Sequence, residues 1–391
     1  MDRPELILHT QHLTIGSGAR TTFGAGSIAG LPDAIRSLGG RRVFLVTDRG
    51  LVASGLSGTV AKLLNDSSIE VAVFSELQPN PADEDIAVGG RALRHFGDAI
   101  VVGLGGGTSL DGAKGISLAA ANDVPIRDLD YRNELAHSGL PVVAIPTTAG
   151  TGSETNSFGV IEDRATHRKF YIGSPSVAPK VIILDPALTT GLPSGPTAAT
   201  GVDALAHALE SVMAKHQNPF SHSLAIQVVR MVDSWLPVAV RNGGDAEARA
   251  QMLLAAHLAG LAFANSGLGL AHALAHNLSA LVGITHGVAL AVVLPSVIEF
   301  NARARGPELA EVAVALGAAS GGSEVEAARA ARESVHVLLA ELGMPSTLGE
   351  VGLMKEMIAG LVLGALEDVV LQNNPIQPTH TQLTALVESL L

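Results

Sequence analysis

Strand signals in this chain stop at one place. Up to Asp185-Pro186, short runs of branched residues at 43–47, 70–74, 99–104, 142–145 and 181–184 alternate with amphipathic stretches such as 51–64 and 83–95. Runs that are apolar on successive positions suit strands buried on both faces, and strand and helix in alternation predict a parallel sheet covered on both sides. Beyond that point only long stretches of helical period follow, at 197–215, 219–241, 246–264, 269–281, 286–302 and 323–342. A chain of 391 residues exceeds what one core usually serves. The pattern predicts an α/β domain with a parallel sheet over residues 1–188 and an all-helical domain over 189–391. The boundary is marked only by Pro186, Pro193 and Pro196. So short a link implies closely packed domains with a cleft between them, where a site would lie.

Hydrophobic residues make up 47% of the chain and aromatics only 3%, so the core must be built from Ala, Val, Leu and Ile, with 43 glycines allowing close backbone approach. A net charge of -12 repels phosphate backbones and anionic bilayers, so neither nucleic acid nor a membrane is expected as a partner. The apolar stretch 258–298 is interrupted by Asn265, His272, His276, Asn277 and His286, which suits buried helices better than a membrane span. With no cysteine there is no disulfide and no thiolate-ligated zinc. The opening residues have no basic region followed by an apolar core, so the expected location is cytoplasmic.

The run 99–104 leads into Gly105-Gly106-Gly107-Thr108-Ser109 and a helix from about Asp111. Glycines at a strand-to-helix turn let backbone N–H groups approach a pyrophosphate, and the helix dipole favours negative charge there. Asp48 ends an earlier strand, where an acid can bond the ribose 2′-hydroxyl of NAD and repel the 2′-phosphate of NADP, although Arg49 beside it can accommodate that phosphate. The alternative for Asp48 is a helix cap. The loops Pro79-Asn80-Pro81 and 147–154 also follow strands and would line the same crevice. The two tyrosines, Tyr131 and Tyr171, have Leu135 and Pro175 four residues on, so no Tyr-x3-Lys pair exists for hydride chemistry. A metal must take its place.

Candidates for holding one are at hand. Asp203 and His207 stand four apart, as do His272 and His276, and each pair shares a helical face. His286 follows in GITHGV, where Gly283 and Gly287 permit the backbone to turn an imidazole inward. Spacing alone does not choose among these five. Neutral imidazole and carboxylate suit a divalent first-row ion, Fe(II) or Zn(II). Burying Asp203 unpartnered would cost several kcal/mol, which a cation offsets. His95, His137, His167, His216, His222 and His257 lack such company and read as surface or core residues.

Taken together, GGGTSLDGAK, IPTTAGTGSE, TGVDALAHALE and GLGLAHALAHNLSALVGITHG resemble the iron-containing, or group III, alcohol dehydrogenases, the family that includes lactaldehyde reductase. The resemblance runs in order over nearly the whole chain. It implies an N-terminal dinucleotide-binding α/β domain and a C-terminal helical domain holding the metal. Carried across, the metal ligands fall on Asp203, His207, His272 and His286, and His276 becomes a proton relay near the nicotinamide. Cofactor contacts fall on Asp48, Asn80, Gly106, Gly107, Thr108, Ser109, Thr147, Thr148, Thr151 and Lys169. The implied ion is Fe(II), with Zn(II) as the alternative, and NAD(H) is favoured over NADP(H). The implied reaction is reversible hydride transfer between a small alcohol or aldehyde and the nicotinamide, by a homodimer. Rival expectations are a metal-independent reductase of the maleylacetate type, a lyase like dehydroquinate synthase, and a non-catalytic metal- and nucleotide-binding protein.

Overall fold

A computed structural model of the chain describes residues 19–79, 81–165, 168–318 and 323–391. The strands are β1 (Arg20–Phe23), β2 (Arg42–Val46), β3 (Glu70–Phe74), β4 (Ile100–Gly105), β5 (Val142–Pro146), β6 (Phe158–Asp163), β7 (Arg168–Gly173) and β8 (Val181–Leu184). Six of them form one parallel sheet in the order β1-β8-β5-β4-β2-β3, and β6 pairs with β7 as a separate antiparallel hairpin. Helices α1 (Leu31–Ser37), α2 (Arg49–Ala53), α3 (Leu56–Asp66), α4 (Asp83–Phe96) and α5 (Gly107–Ala121) accompany the sheet. Alternate side chains of one strand point to opposite faces. Thus Ile100, Val102 and Leu104 of β4 pack with Leu31, Ile35, Val60 and Leu64, while Val101 packs with Ile86, Leu93 and Ile116. Both faces are covered, as the unbroken apolar runs require.

The chain leaves β2 for the edge strand β3 and then returns to β4 on the other side of β2. Connections therefore part in opposite directions between β2 and β4. At such a switch point a crevice opens beyond the carboxyl ends of the strands, and open α/β sheets take their ligands there. Asp48 and Gly106 flank it.

The second half holds α6 (Ser194–Met213), α7 (Pro219–Arg241), α8 (Ala246–Ser266), α9 (Leu270–Val282), α10 (His286–Asn301), α11 (Gly306–Ala315), α12 (Glu324–Glu341), α13 (Ile358–Glu367) and α14 (His380–Glu388). Helix α6 is buried almost all round, surrounded by α7, α8 and α10. A helix covered on every side can keep Asp203, His207 and Glu210 only where partners meet them. Helix α7 is long and apolar enough to cross a membrane, but it lies between α6 and α8 with Val228, Val229, Val232 and Leu236 in the core. The α8–α9 pair is similarly apolar and bends by 109° between them.

Several elements differ from expectation. The stretch 51–64 is not one helix but parts of α2 and α3, broken at Gly55, whose φ of 79° is unfavourable for residues with a side chain. Strand β1 is exposed along its length and so carries no apolar run, and β3 at the other edge is largely exposed rather than buried on both faces, because it has a neighbouring strand on one side only. The β6–β7 hairpin and helices α11, α13 and α14 also went unanticipated.

The two halves are joined tightly. Leu253 of α8 packs among Leu110, Ala144, Ile182 and Leu184 of the sheet half. Gly260 of α8 meets Gly152 so closely that a Cβ on Gly152 would overlap the Gly260 backbone, and one on Gly260 would overlap the Thr155 side chain. Buried His257 of α8 bonds Glu154 across the junction, Nδ1 to Oε1 at 3.0 Å, which makes it a core histidine.

Candidate functional site

The cleft between the halves is lined by Gly107, Thr108, Asp111, Thr151 and Lys169 from one side and by Asp203, His207, His272, His276 and His286 from the other. Gly106 caps α5, and a Cβ there or on Gly107 would press on Thr148 and Thr151 respectively, so the threonine loop lies over the glycine turn. Asp48 takes the helix-cap role that the sequence offered as the alternative. Its Oδ1 caps α2 by accepting from Leu51 N at 3.0 Å, while its Oδ2 faces the buried Ser109 Oγ at 3.5 Å. Thr147 is buried behind the loop, its N–H donating to the Gly105 carbonyl at 3.0 Å. The expected contact Asn80 lies outside the described residues. Lys169 comes from β7, opposite Glu162 in the hairpin register, and burial pushes its ammonium pKa down. Beneath the cleft, buried Lys114 donates to the carbonyls of Ser153 and Phe158, both at 2.6 Å, and so pins the loop between them to α5.

On the helical side, α6 supplies Asp203 and His207, α9 supplies His272 and His276, and α10 supplies His286 at its first position. Gly283 ends α9 in the left-handed conformation, φ 73°, which turns the chain toward His286. Gly287 serves differently from what was expected: a Cβ there would strike the Ala199 carbonyl, so the glycine lets α10 approach α6. Asp203 Oδ1 lies 3.5 Å from His207 Nε2, 3.6 Å from His272 Nε2 and 3.8 Å from His286 Nε2. Those gaps are too long for hydrogen bonds. Ligand atoms on bonds of about 2.1 Å in a tetrahedron stand about 3.4 Å apart, so the observed spacing is that of a shared ion. Asp203 Oδ1 and His272 Nε2 are buried and have no hydrogen-bond partner. Buried polar atoms are rarely left so, and a divalent ion would satisfy both at once.

The electrostatics agree. Burial pushes the Asp203 carboxyl up, but the facing His207, His272 and His286 outweigh it and hold it well below the usual carboxylate range. Burial brings His207 down to about 4 and His286 well below its ordinary value. His272 goes the other way, to about 9, because Glu210 and Asp203 overcome its burial. Two carboxylates around one ring make a cation favourable there.

His276 faces the same cleft, its ring edge-on to His272 at 5.9 Å and stacked with His286 at 5.2 Å. Its Nδ1 bonds Asp368 Oδ2 at 2.8 Å. Both tyrosines of the chain gather beside it in an otherwise aromatic-poor molecule: Tyr171 packs edge-on against Tyr131, Phe158 and His276.

The two carboxylates that hold the histidine rings escaped the sequence. Glu210 carried a signal, since it lies three residues after His207 and seven after Asp203 on the same face of α6. Asp368 carried none, because it reaches His276 only through the folding of the C-terminal segment onto α9.

A switch-point crevice with a glycine turn, facing a carboxylate–imidazole cage across a narrow cleft, is the layout of a metal-assisted, nucleotide-linked dehydrogenase. Family models support the same class: "Iron-containing alcohol dehydrogenase" matches residues 18–186 and "Fe-containing alcohol dehydrogenase family, C-terminal" matches residues 197–391. The chain belongs to the iron-containing alcohol dehydrogenase family. It is 38% identical to the NAD-dependent methanol dehydrogenase of Bacillus methanolicus over 95% of this chain and 98% of that one. Against the 1,3-propanediol dehydrogenase of Klebsiella pneumoniae it is 35% identical over 93% and 95%. A solved structure of a 1,3-propanediol oxidoreductase superposes with a TM-score of 0.94 at 34% identity, covering 97% of this chain and all of the other.

Proposed function

We propose that this alcohol dehydrogenase holds Fe(II), or Zn(II), on Asp203, His207, His272 and His286, and exchanges hydride between a small alcohol or aldehyde and NAD(H). The activity and the cofactor follow from the family and from relatives that are NAD-dependent. The observation that carries the ligand assignment is Asp203 Oδ1 standing unpartnered within 3.8 Å of three Nε2 atoms. A complete donor set also argues against a metal-independent reductase. Residues 1–188 serve as the nucleotide domain and 189–391 as the metal domain, with Asp48, Asn80, Gly106, Gly107, Thr108, Ser109, Thr147, Thr148, Thr151 and Lys169 holding the dinucleotide.

When bound, the ion supplies Lewis-acid polarisation of the substrate oxygen, and the nicotinamide supplies or takes the hydride. The chain's own residues do the rest. The Asp368 carboxyl is pushed up by burial, but the hydrogen bond from His276 more than offsets this and keeps it below its ordinary value. As a carboxylate it can only accept, so the proton sits on His276 Nδ1 and Nε2 is the free acceptor. Burial pushes the pKa of His276 down despite Asp368, so the ring is neutral at pH 7 and able to take a proton from the alcohol. Phe158, Tyr171, Phe263 and Leu268 form the apolar part of the cleft wall. These walls suit short or moderately sized apolar substrates. The chain works in the cytoplasm as a homodimer, the commonest closed assembly of soluble chains.

Replacing His272 by alanine tests the centre. The variant should lose bound metal and turnover while still binding NADH, as measured by elemental analysis, an aldehyde-dependent NADH oxidation assay and fluorescence titration. Full activity in the metal-depleted variant would refute the assignment.

A further inference from the structure

We propose that Glu210 is a positioning residue for the ion-binding helix, one buried carboxylate both tying down the first turn of α9 and orienting the His272 ring. Helix α9 starts at Gly269 with no capping side chain of its own. Its first N–H groups have no partner within the helix and must be satisfied from elsewhere. Glu210 Oε2 accepts from Gly269 N at 3.0 Å and Glu210 Oε1 from Ala271 N at 2.6 Å, while Asn374 Oδ1 accepts from Leu270 N at 3.2 Å. Negative charge at this end is further favoured by the helix dipole.

The same carboxylate receives a third bond. His272 Nδ1 lies 2.6 Å from Glu210 Oε2, and with only acceptors on Glu210 the proton must sit on Nδ1. Nε2 is then the nitrogen turned toward Asp203, placed to ligate once an ion displaces its proton. Since Glu210 shares α6 with Asp203 and His207, one rigid helix carries two of the facing groups and the clamp for a third. Asn374 is itself held by reciprocal bonds to Asn301 at 3.0 and 2.8 Å, which closes the cradle from the C-terminal segment. Gly269 leaves room for it: a Cβ there would overlap Asn374 and crowd Glu210.

The inference rests on Asp203, His207, His272 and His286 being the ligands. Its test is zinc affinity of the metal-free protein by chelator competition, for the parent, Glu210→Gln and Glu210→Ala, alongside NADH titration and thermal unfolding without metal. Gln keeps the volume and guards against a variant too unstable to study, but offers one acceptor oxygen to three donors. Zinc affinity should fall on the order of ten- to a hundredfold in the variants while NADH affinity holds. Variants that bind zinc as tightly as the parent, even with a lowered unfolding midpoint, would reduce Glu210 to a structural cap and overturn the inference alone. A parent that holds no zinc would overturn the ligand assignment as well.

Discussion

His276 and Asp368 show how much a single pair can decide. The ring is buried, neutral and directed by one carboxylate, and it lies beside the proposed ligands without facing Asp203 as they do. Asp368→Asn preserves shape but removes the charge that orients the ring. Turnover should drop on the order of tenfold to a hundredfold, less than the ~10²–10⁴ expected from deleting an acid–base group outright, with metal content and NADH binding intact. Steady-state kinetics with a short alcohol would show it, and an unchanged kcat would remove the pair from the proton path. His272 and His276 make the complementary point. Both stand on α9 four residues apart, yet only His272 approaches Asp203, because Glu210 claims one ring and Asp368 the other.

At the scale of elements, the β6–β7 hairpin is what brings the sheet half to the metal side, since β7 carries both Lys169 and Tyr171. It is braced by the segment before β5. Tyr131 N donates to the Tyr171 carbonyl at 3.2 Å, and Asp130 bridges to Ile172 while its carboxylate grips Arg132 Nε at 2.8 Å and Nη2 at 2.7 Å. The hydrogen bond from Arg132 holds the Asp130 carboxyl below its ordinary value. A folded pKa below the unfolded one contributes stability that is fully present above about pH 4 and lost as pH falls through the folded value. Because Arg132 is largely exposed, solvent screening keeps the pair's contribution small. Asp130→Asn should therefore lower the urea midpoint only slightly at pH 7, with the gap constant down to about pH 5 and closing below about pH 4. A gap that widened in acid would contradict this account.

Over the whole molecule, the ion would join α6, α9 and α10, and α6 and α8 are locked to the sheet half through Gly150–Thr200, Gly152–Gly260 and Glu154–His257. Anything that binds only the folded state stabilises it by mass action, by about 2.7 kcal/mol at a hundredfold excess over Kd. Zinc should raise the thermal midpoint of the metal-free protein by several degrees in one transition, and the His272→Ala variant should not respond. Two separate transitions, only one of them shifted, would mean that the halves unfold independently.

Much of this was legible beforehand. The apolar runs marked five of the six sheet strands: β2, β4, β5 and β8 because strands buried on both faces must be apolar at every position, and the largely exposed edge strand β3 only by its branched residues. The periodic stretches marked α6 to α10 and α12, because each buries a broad face. What escaped were elements with no such local constraint, the exposed β1 above all. Spacing put Asp203 and His207 on one face of one helix and His272 and His276 on one face of another, and those pairings are properties of a helix alone. Which imidazoles converge on Asp203, which carboxylate holds each ring, and how the glycine turn comes to face the cage were decided only by tertiary packing. The reason is physical: helical periodicity acts over a turn or two, whereas the meeting of Asp203 with His286, or of His276 with Asp368, depends on where whole helices come to rest against a shared core.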